Sequence, residues 1–107
     1  MNDKLIVALD YATEKDAMAL VNQLGDAVSY YKVGLELFLN TRGSVVDLIK
    51  TKKKKVFLDL KFHDIPNTVA QAVAWAASLG VDMFTLHSSG GEEMMRKSVE
   101  TVNEVCE

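Results

Sequence analysis

The chain has 107 residues, of which 49% are hydrophobic and 25% are charged, and its formal net charge is -3. These values are typical of a single soluble globular domain, and the acidic balance argues against nucleic-acid binding, which usually needs a basic patch. The lone cysteine, Cys106, allows no internal disulfide, and no apolar run is long enough to be a signal peptide or a membrane span, so we expect a cytoplasmic protein.

Short apolar runs alternate with longer amphipathic ones along the chain. The apolar runs predict four β-strands, at residues 5–9, 29–33, 56–60 and 83–86. The first helix is predicted between Thr13, which stands three residues before Asp16 as in a capping box, and Gly25, which is typical of a helix C-terminus.

Three further helical regions follow the other strands. Residues 36–53 predict a short helix and a longer one, because the segment 41–43 interrupts the pattern. Residues 66–80 predict a helix that begins at a proline and ends at a glycine, and its interior is almost free of charge. The last helix is predicted to follow the glycine pair 90–91 and to run towards Cys106.

This order of elements predicts an α/β fold. Strands that alternate with helices imply a parallel sheet with right-handed crossovers. Two architectures remain open at this point: a piece of a (β/α)8 barrel, or a small open, doubly wound sheet. A complete barrel needs about 250 residues, so residues 1–107 are interpreted as one domain of four βα units, half of a TIM barrel.

Polar residues collect at the carboxyl ends of the predicted strands. These residues are Asp10, Lys32, Asp59, Lys61, Asp64 and His87. In a barrel this rim carries the active site, and in an open sheet the crevice at the strand ends has the same role. Because side chains two residues apart share a face of a strand, Asp59 and Lys61 are expected to project together. A structural ion pair would explain those two residues alone, but the addition of Lys32 and Asp64 favours a site.

Other polar features have plainer explanations. His87 could contact a ligand hydroxyl or bond to the backbone, and His63 is expected to be exposed. The glycine pair 90–91 could hold a phosphate or simply begin a helix. The lysine run 52–55 is interpreted as a solvated helix C-terminus. No cluster has metal-ligand spacing.

Four segments carry a family resemblance. LIVALD, YYKVGLELF, FLDLKFHDIPNTV and TLHSSGG, in this order, closely resemble the N-terminal half of orotidine 5'-phosphate decarboxylase. The resemblance implies that Lys32, Asp59, Lys61 and Asp64 form the charged tetrad of that family. It also implies that Asp10 contacts the ribose hydroxyls of the substrate, and that Asp64, with Ile65 and Thr68, reaches the active site of a partner subunit.

The chemistry implied by the resemblance is loss of CO2 from C6 of orotidine 5'-monophosphate, which gives UMP without a metal or organic cofactor. Lys61 would stabilise the carbanion and then protonate it. Metal-dependent sugar-phosphate decarboxylases and synthases of the same superfamily carry an acidic magnesium ligand where this chain has Lys32, which favours the orotidine enzyme.

The resemblance also implies that the family's phosphate-binding loops and its mobile loop lie beyond the matched half. We therefore expect a chain that is weakly active or inactive alone. Two edge strands and an uncovered barrel face predict a homodimer or higher homo-oligomer. A non-enzymatic, self-associating half-barrel scaffold is the second interpretation, and a phosphosugar-binding module the third, although no phosphate cradle is recognisable.

Overall fold

A computed structural model describes residues 4–106, and four parallel strands form its single sheet. The strands are β1 (Val7–Ala8), β2 (Tyr30–Gly34), β3 (Lys55–Phe62) and β4 (Met83–Leu86), and they lie in the sheet in chain order. The predicted bounds of β4 are confirmed. The predicted β1 is too long, because only two residues pair with β2, and the predicted β3 is too short by one residue at its start and two at its end.

The predicted helices are all present. They are α1 (Glu14–Leu24), α2 (Leu35–Asn40), α3 (Ser44–Thr51), α4 (Pro66–Ser78) and α5 (Glu92–Val105). The Thr13 hydroxyl accepts from the Asp16 N–H at 3.2 Å, as the capping box predicts. The break between α2 and α3 falls at Gly43, whose φ of 82° favours glycine. Within the described part of the chain, no helix is long and apolar enough to cross a membrane.

Side chains alternate across the sheet, and the helices cover only one of its faces. Tyr31 and Val33 of β2 and Leu58 of β3 are fully buried, and they pack against buried residues of the helices, namely Ala17, Val21, Val45, Val46, Ile49 and Ala76. Their neighbours Lys32 and Asp59 point to the other face and remain partly accessible. A doubly wound sheet has helices on both faces and a reversal of strand order. The sequential order seen here is that of half a (β/α)8 barrel.

The lysine run 52–55 is not simply the solvated end of α3. Lys54 is only 8% exposed, and its Nζ donates to the Gly25 carbonyl oxygen at 2.8 Å. Lys55 already belongs to β3, and its N–H donates to the Ser29 carbonyl oxygen. The predicted solvated helix end was therefore wrong for Lys54, whose aliphatic stem lies against the core while its ammonium reaches a carbonyl. Lys55 is exposed as predicted, but it lies in a strand and not at a helix end.

Candidate active site

A carboxylate between two lysines lies at the carboxyl ends of β2 and β3. Parallel pairing sets Gly34 beside Asp59, so the end of β2 lies next to the late part of β3. Lys61 Nζ lies 2.9 Å from Asp59 Oδ1, and Lys32 Nζ lies 3.8 Å from Asp59 Oδ2. The expected proximity of Asp59 and Lys61 is confirmed, and Lys32 joins them from the neighbouring strand.

The three groups differ in their access to water. The side chain of Asp59 is 14% exposed, that of Lys32 is 29% exposed and that of Lys61 is 63% exposed. The hydrogen bond from Lys61 holds the pKa of Asp59 below its usual value, although partial burial opposes this shift. Asp59 is therefore an anion at neutral pH, and it holds one ammonium by a direct hydrogen bond while a second lies nearby.

Thr85 of β4 connects two parts of this cluster and was missed by the sequence analysis. Its hydroxyl donates to Asp59 Oδ1 at 2.8 Å and accepts from the backbone N–H of Lys61 at 3.0 Å. The sequence did hold a signal, because Thr85 is the polar residue of an otherwise apolar strand. It also stands two residues before His87, which continues in extended conformation after the strand, so both side chains are expected on the same side.

The backbone at Lys61 departs from regular strand geometry. Its φ is 52°, in the left-handed region that residues other than glycine rarely adopt. The pairing of β3 with β4 is irregular at the same place, because Leu58 and Phe62, four residues apart, pair with Phe84 and Leu86, which are two residues apart. The extra residues of β3 form a bulge, and bulges next to active sites re-aim side chains.

Within residues 4–106, Asp64 makes no hydrogen bond or ion pair with Lys32, Asp59 or Lys61. Its Oδ1 accepts instead from the N–H of Ile65 at 2.7 Å, in the turn that leads into α4. Asp64, Ile65 and Thr68 are all exposed. The structure thus brings together three of the four charged residues that the sequence predicts, and the expected contribution of this turn to a partner subunit stays a prediction.

Asp10 lies apart from the cluster in a groove between the ends of β1 and β2. The groove has a volume of about 290 Å³, and it is lined by Leu9, Asp10, Tyr11, Gly34, Leu35, Glu36 and Leu37. Asp10 is exposed, and it follows the carboxyl end of β1, on the same side of the sheet's strand ends as the cluster. A hydroxyl-bearing ligand at that edge could accordingly meet Asp10, whose predicted role stays a prediction.

His87 and His63 stack on each other at the end of β4. Their ring centroids are 5.0 Å apart and their planes differ by 21°. His87 Nδ1 accepts from the Ser89 N–H at 3.3 Å and lies 2.6 Å from the Ser89 hydroxyl, so this histidine bonds to backbone as one of the two interpretations expected. His63 is exposed, as predicted. The ligand contact of His87 stays a prediction.

The glycine pair begins a helix by way of a short turn. Ser88–Gly90 form a 3-10 turn, and α5 follows at Glu92. A side chain at Gly90 would collide with the end of the Met94 side chain, which is fully buried. Close packing is thus sufficient to explain Gly90. Among residues 4–106, no three side chains of His, Cys, Asp or Glu gather as a metal site would require.

Comparison with known proteins gives a consistent result. The model of the Orotidine 5'-phosphate decarboxylase / HUMPS family matches residues 3–106. The chain is 47% identical over 103 residues to orotidine 5'-phosphate decarboxylase of Nostoc sp., matching 96% of this chain and 43% of that protein. It is 53% identical over 98 residues to the Mannheimia succiniciproducens enzyme of the same name, matching 92% of this chain and 42% of that protein. The chain thus spans less than half the length of these curated relatives.

Solved structures agree with the half-barrel architecture. The Lactobacillus acidophilus orotidine 5'-phosphate decarboxylase matches with a TM-score of 0.84 and 36% identity, over 94% of this chain and 46% of that chain. The Methanocaldococcus jannaschii orotidine 5'-monophosphate decarboxylase, complexed with inhibitor BMP, matches with a TM-score of 0.88 and 27% identity, over 96% and 48% of the two chains.

Proposed function

The chain belongs to the Orotidine 5'-phosphate decarboxylase / HUMPS family, and from that membership we propose that it supplies the charged centre at which orotidine 5'-monophosphate loses CO2 to become UMP. The observation that carries the proposal is the cluster in which Asp59 lies between the ammonium groups of Lys61 and Lys32. The chain contributes this centre and Asp10, while the rest of the family's barrel is about as long again as the chain.

The chemical step requires little more than a well-placed ammonium. When the bond between C6 and the carboxylate breaks, CO2 leaves and the electron pair stays on C6. The Lys61 ammonium stabilises this charge as it develops and then transfers one proton to C6, which gives UMP and a neutral amine. Asp59 keeps Lys61 in position through its hydrogen bond, and solvent returns the lysine to its charged form.

Lys32 favours this reaction over that of a magnesium-dependent relative. A divalent cation bound at Asp59 would lie close to the Lys32 ammonium, whose Nζ is 3.8 Å from Asp59 Oδ2. Like charges at such a separation repel strongly where water is partly excluded. The carboxylate is already compensated by two lysines, which suits an anionic substrate rather than a metal ion.

The proposal includes weak activity for the chain by itself. Lys61 is 63% exposed, so water screens its charge and weakens its stabilisation of a carbanion. Binding of a remote phosphate helps to organise the reacting centre in enzymes of this kind. No phosphate-binding loop is recognisable among the described residues. The one candidate was the glycine turn at 88–90, and packing of Gly90 against Met94 already explains its glycine.

A UMP-formation assay tests the function directly. The purified chain is expected to form UMP with a kcat/KM below about one thousandth of that of a full-length relative assayed in parallel, since residues 4–106 offer no recognisable phosphate site to supply remote binding energy. The full-length relative serves as the positive control for substrate quality. Complete absence of product, even with carboxyl-labelled substrate and long incubation, would favour the non-enzymatic scaffold, and a rate near that of the relative would contradict our account of the half site.

We also propose that the chain associates with a second copy of itself. Among residues 4–106, β1 and β4 are the outer strands of the sheet, and each pairs with a neighbour on one side only. Beside β4 lies an apolar groove of about 270 Å³, lined by Phe84, Leu86, Ser98, Val99, Val102 and Asn103. Four further parallel strands would complete a barrel of eight, and a second copy provides four.

Light scattering coupled to size-exclusion chromatography tests the association. The chain is expected to elute as a dimer at micromolar concentration, and Val99→Asp is expected to shift it towards the monomer by adding a charge to the groove. Val105→Asp is the matched control, because Val105 is also exposed on α5 but does not line the groove. A stable monomer for the unmodified chain would contradict the proposal.

A further inference from the structure

The Thr85 hydroxyl links the backbone of Lys61 to the carboxylate of Asp59. It accepts from the Lys61 backbone N–H and donates to Asp59 Oδ1, so its single proton fixes the direction of both bonds. Asp59 Oδ1 accepts in addition from Lys61 Nζ at 2.9 Å. One oxygen of the carboxylate is thereby held by two donors, and the other oxygen is left facing Lys32.

The backbone of Lys61 explains why such a contact is needed. A left-handed φ is unfavourable for a residue with a side chain, and it persists only where the surroundings hold it. At Lys61 this conformation coincides with the irregular pairing of β3 and β4. The Thr85 hydroxyl lies at this bulge and takes the N–H of the strained residue.

We propose that Thr85 is a positioning residue for Lys61 and Asp59, which acts by holding the bulge that aims the lysine and by orienting the carboxylate. For the aim of the ammonium at a substrate, the proposal rests on the proposed function. The lowered pKa of Asp59, to which the bond from Thr85 contributes after the larger effect of Lys61, agrees with this role. Thr85 itself touches no reacting atom.

Three variants test the role. Thr85→Val has nearly the same shape but lacks the hydroxyl, Thr85→Ser keeps the hydroxyl, and Thr101→Val makes the same change on α5, where the hydroxyl bonds to the Lys97 carbonyl oxygen. The first readout is the titration of the Asp59 carboxyl carbon by NMR, together with the amide resonance of Lys61. This readout needs no catalytic activity.

Thr85→Val is expected to raise the titration midpoint of Asp59 towards its ordinary value and to shift the Lys61 amide resonance. Thr85→Ser and Thr101→Val should leave both as in the unmodified chain. In the decarboxylation assay, Thr85→Val is expected to lower kcat about tenfold with KM within about twofold, since one lost hydrogen bond to a charged group is worth about that factor. Thr85→Ser should restore most of the rate.

The outcomes separate the two proposals. An unchanged Asp59 midpoint and Lys61 amide in folded Thr85→Val would overturn the positioning role, whatever the activity. Should Thr85→Val fail to fold, Thr85→Ala replaces it, and rescue by Thr85→Ser is judged by the same resonances. Changed resonances in a chain that forms no UMP would uphold the positioning role and contradict the proposed function alone.

Discussion

Replacing Lys61 with alanine should lower the rate of CO2 release by about a hundredfold, because the proposed mechanism assigns stabilisation of the developing carbanion to this ammonium. One preorganised donor is worth about 10²–10³ in rate where water is excluded, and the 63% exposure of the Lys61 side chain favours the lower value. Proton transfer to C6 follows the loss of CO2 in this mechanism, so it adds nothing to this factor. Lys61 Nζ also holds Asp59 Oδ1 at 2.9 Å, and the variant removes that restraint as well.

Release of labelled CO2 from carboxyl-labelled substrate measures this effect at the low rates expected of the chain. Lys52→Ala is the matched control, because Lys52 is an exposed lysine at the end of α3, before β3 begins, whereas the cluster lies in the late part of β3. A nucleotide analogue with an anionic group near C6 provides a second measurement, since its binding should weaken in Lys61→Ala and not in Lys52→Ala. Equal rates in Lys61→Ala and the unmodified chain would remove Lys61 from the mechanism.

Replacing Leu58 with alanine should lower the free energy of unfolding by about 3–5 kcal/mol, which is typical of a large core side chain reduced to a methyl group. Leu58 has no exposed surface, and its strand lies between β2 and β4, where it pairs with Val33 and Phe84. Since a domain of this size is stable by only about 5–15 kcal/mol, the variant should be partly unfolded under mild conditions. The next residue, Asp59, would then lose its fixed position.

Urea denaturation followed by circular dichroism, at one fixed protein concentration, measures the change. Leu39→Ala is the control, because Leu39 is 61% exposed on α2 and its loss should change stability by less than about 0.5 kcal/mol. A loss below about 1 kcal/mol for Leu58→Ala would mean that the face of the sheet behind the cluster is not closely packed by the helices.

The fold could be predicted from the sequence because its signals are local. The capping threonine of α1, the glycine that separates α2 from α3 and the proline at the start of α4 each fix a boundary within a few residues. The extent of β1 could not be predicted, because strand length depends on pairing with a partner far along the chain. Lys54 was misjudged for a similar reason, since its acceptor, the Gly25 carbonyl, is distant in sequence.

The candidate site was predictable where periodicity applies and not where the strand departs from it. Asp59 and Lys61 are two residues apart, and alternation alone brings them together. The left-handed conformation of Lys61 and its contact with Thr85 arise from the bulge. The residue pattern of β3 does not predict this bulge. Asp64 was grouped with the others by its position after β3 and by the resemblance, but its Oδ1 accepts from the Ile65 N–H within its own turn.

The sequential order of the strands has a consequence for the growing chain on the ribosome. Each strand from β2 onwards pairs with the strand made immediately before it, so each of these strands has a partner already synthesised when it emerges. Pairing of elements that are near in sequence costs less loop-closure entropy than pairing of distant ones. The strand that carries Asp59 and Lys61 can therefore pair with β2 before β4 is synthesised. The bulge at Lys61 forms only after β4 has been synthesised, because its backbone N–H bonds to Thr85 of that strand.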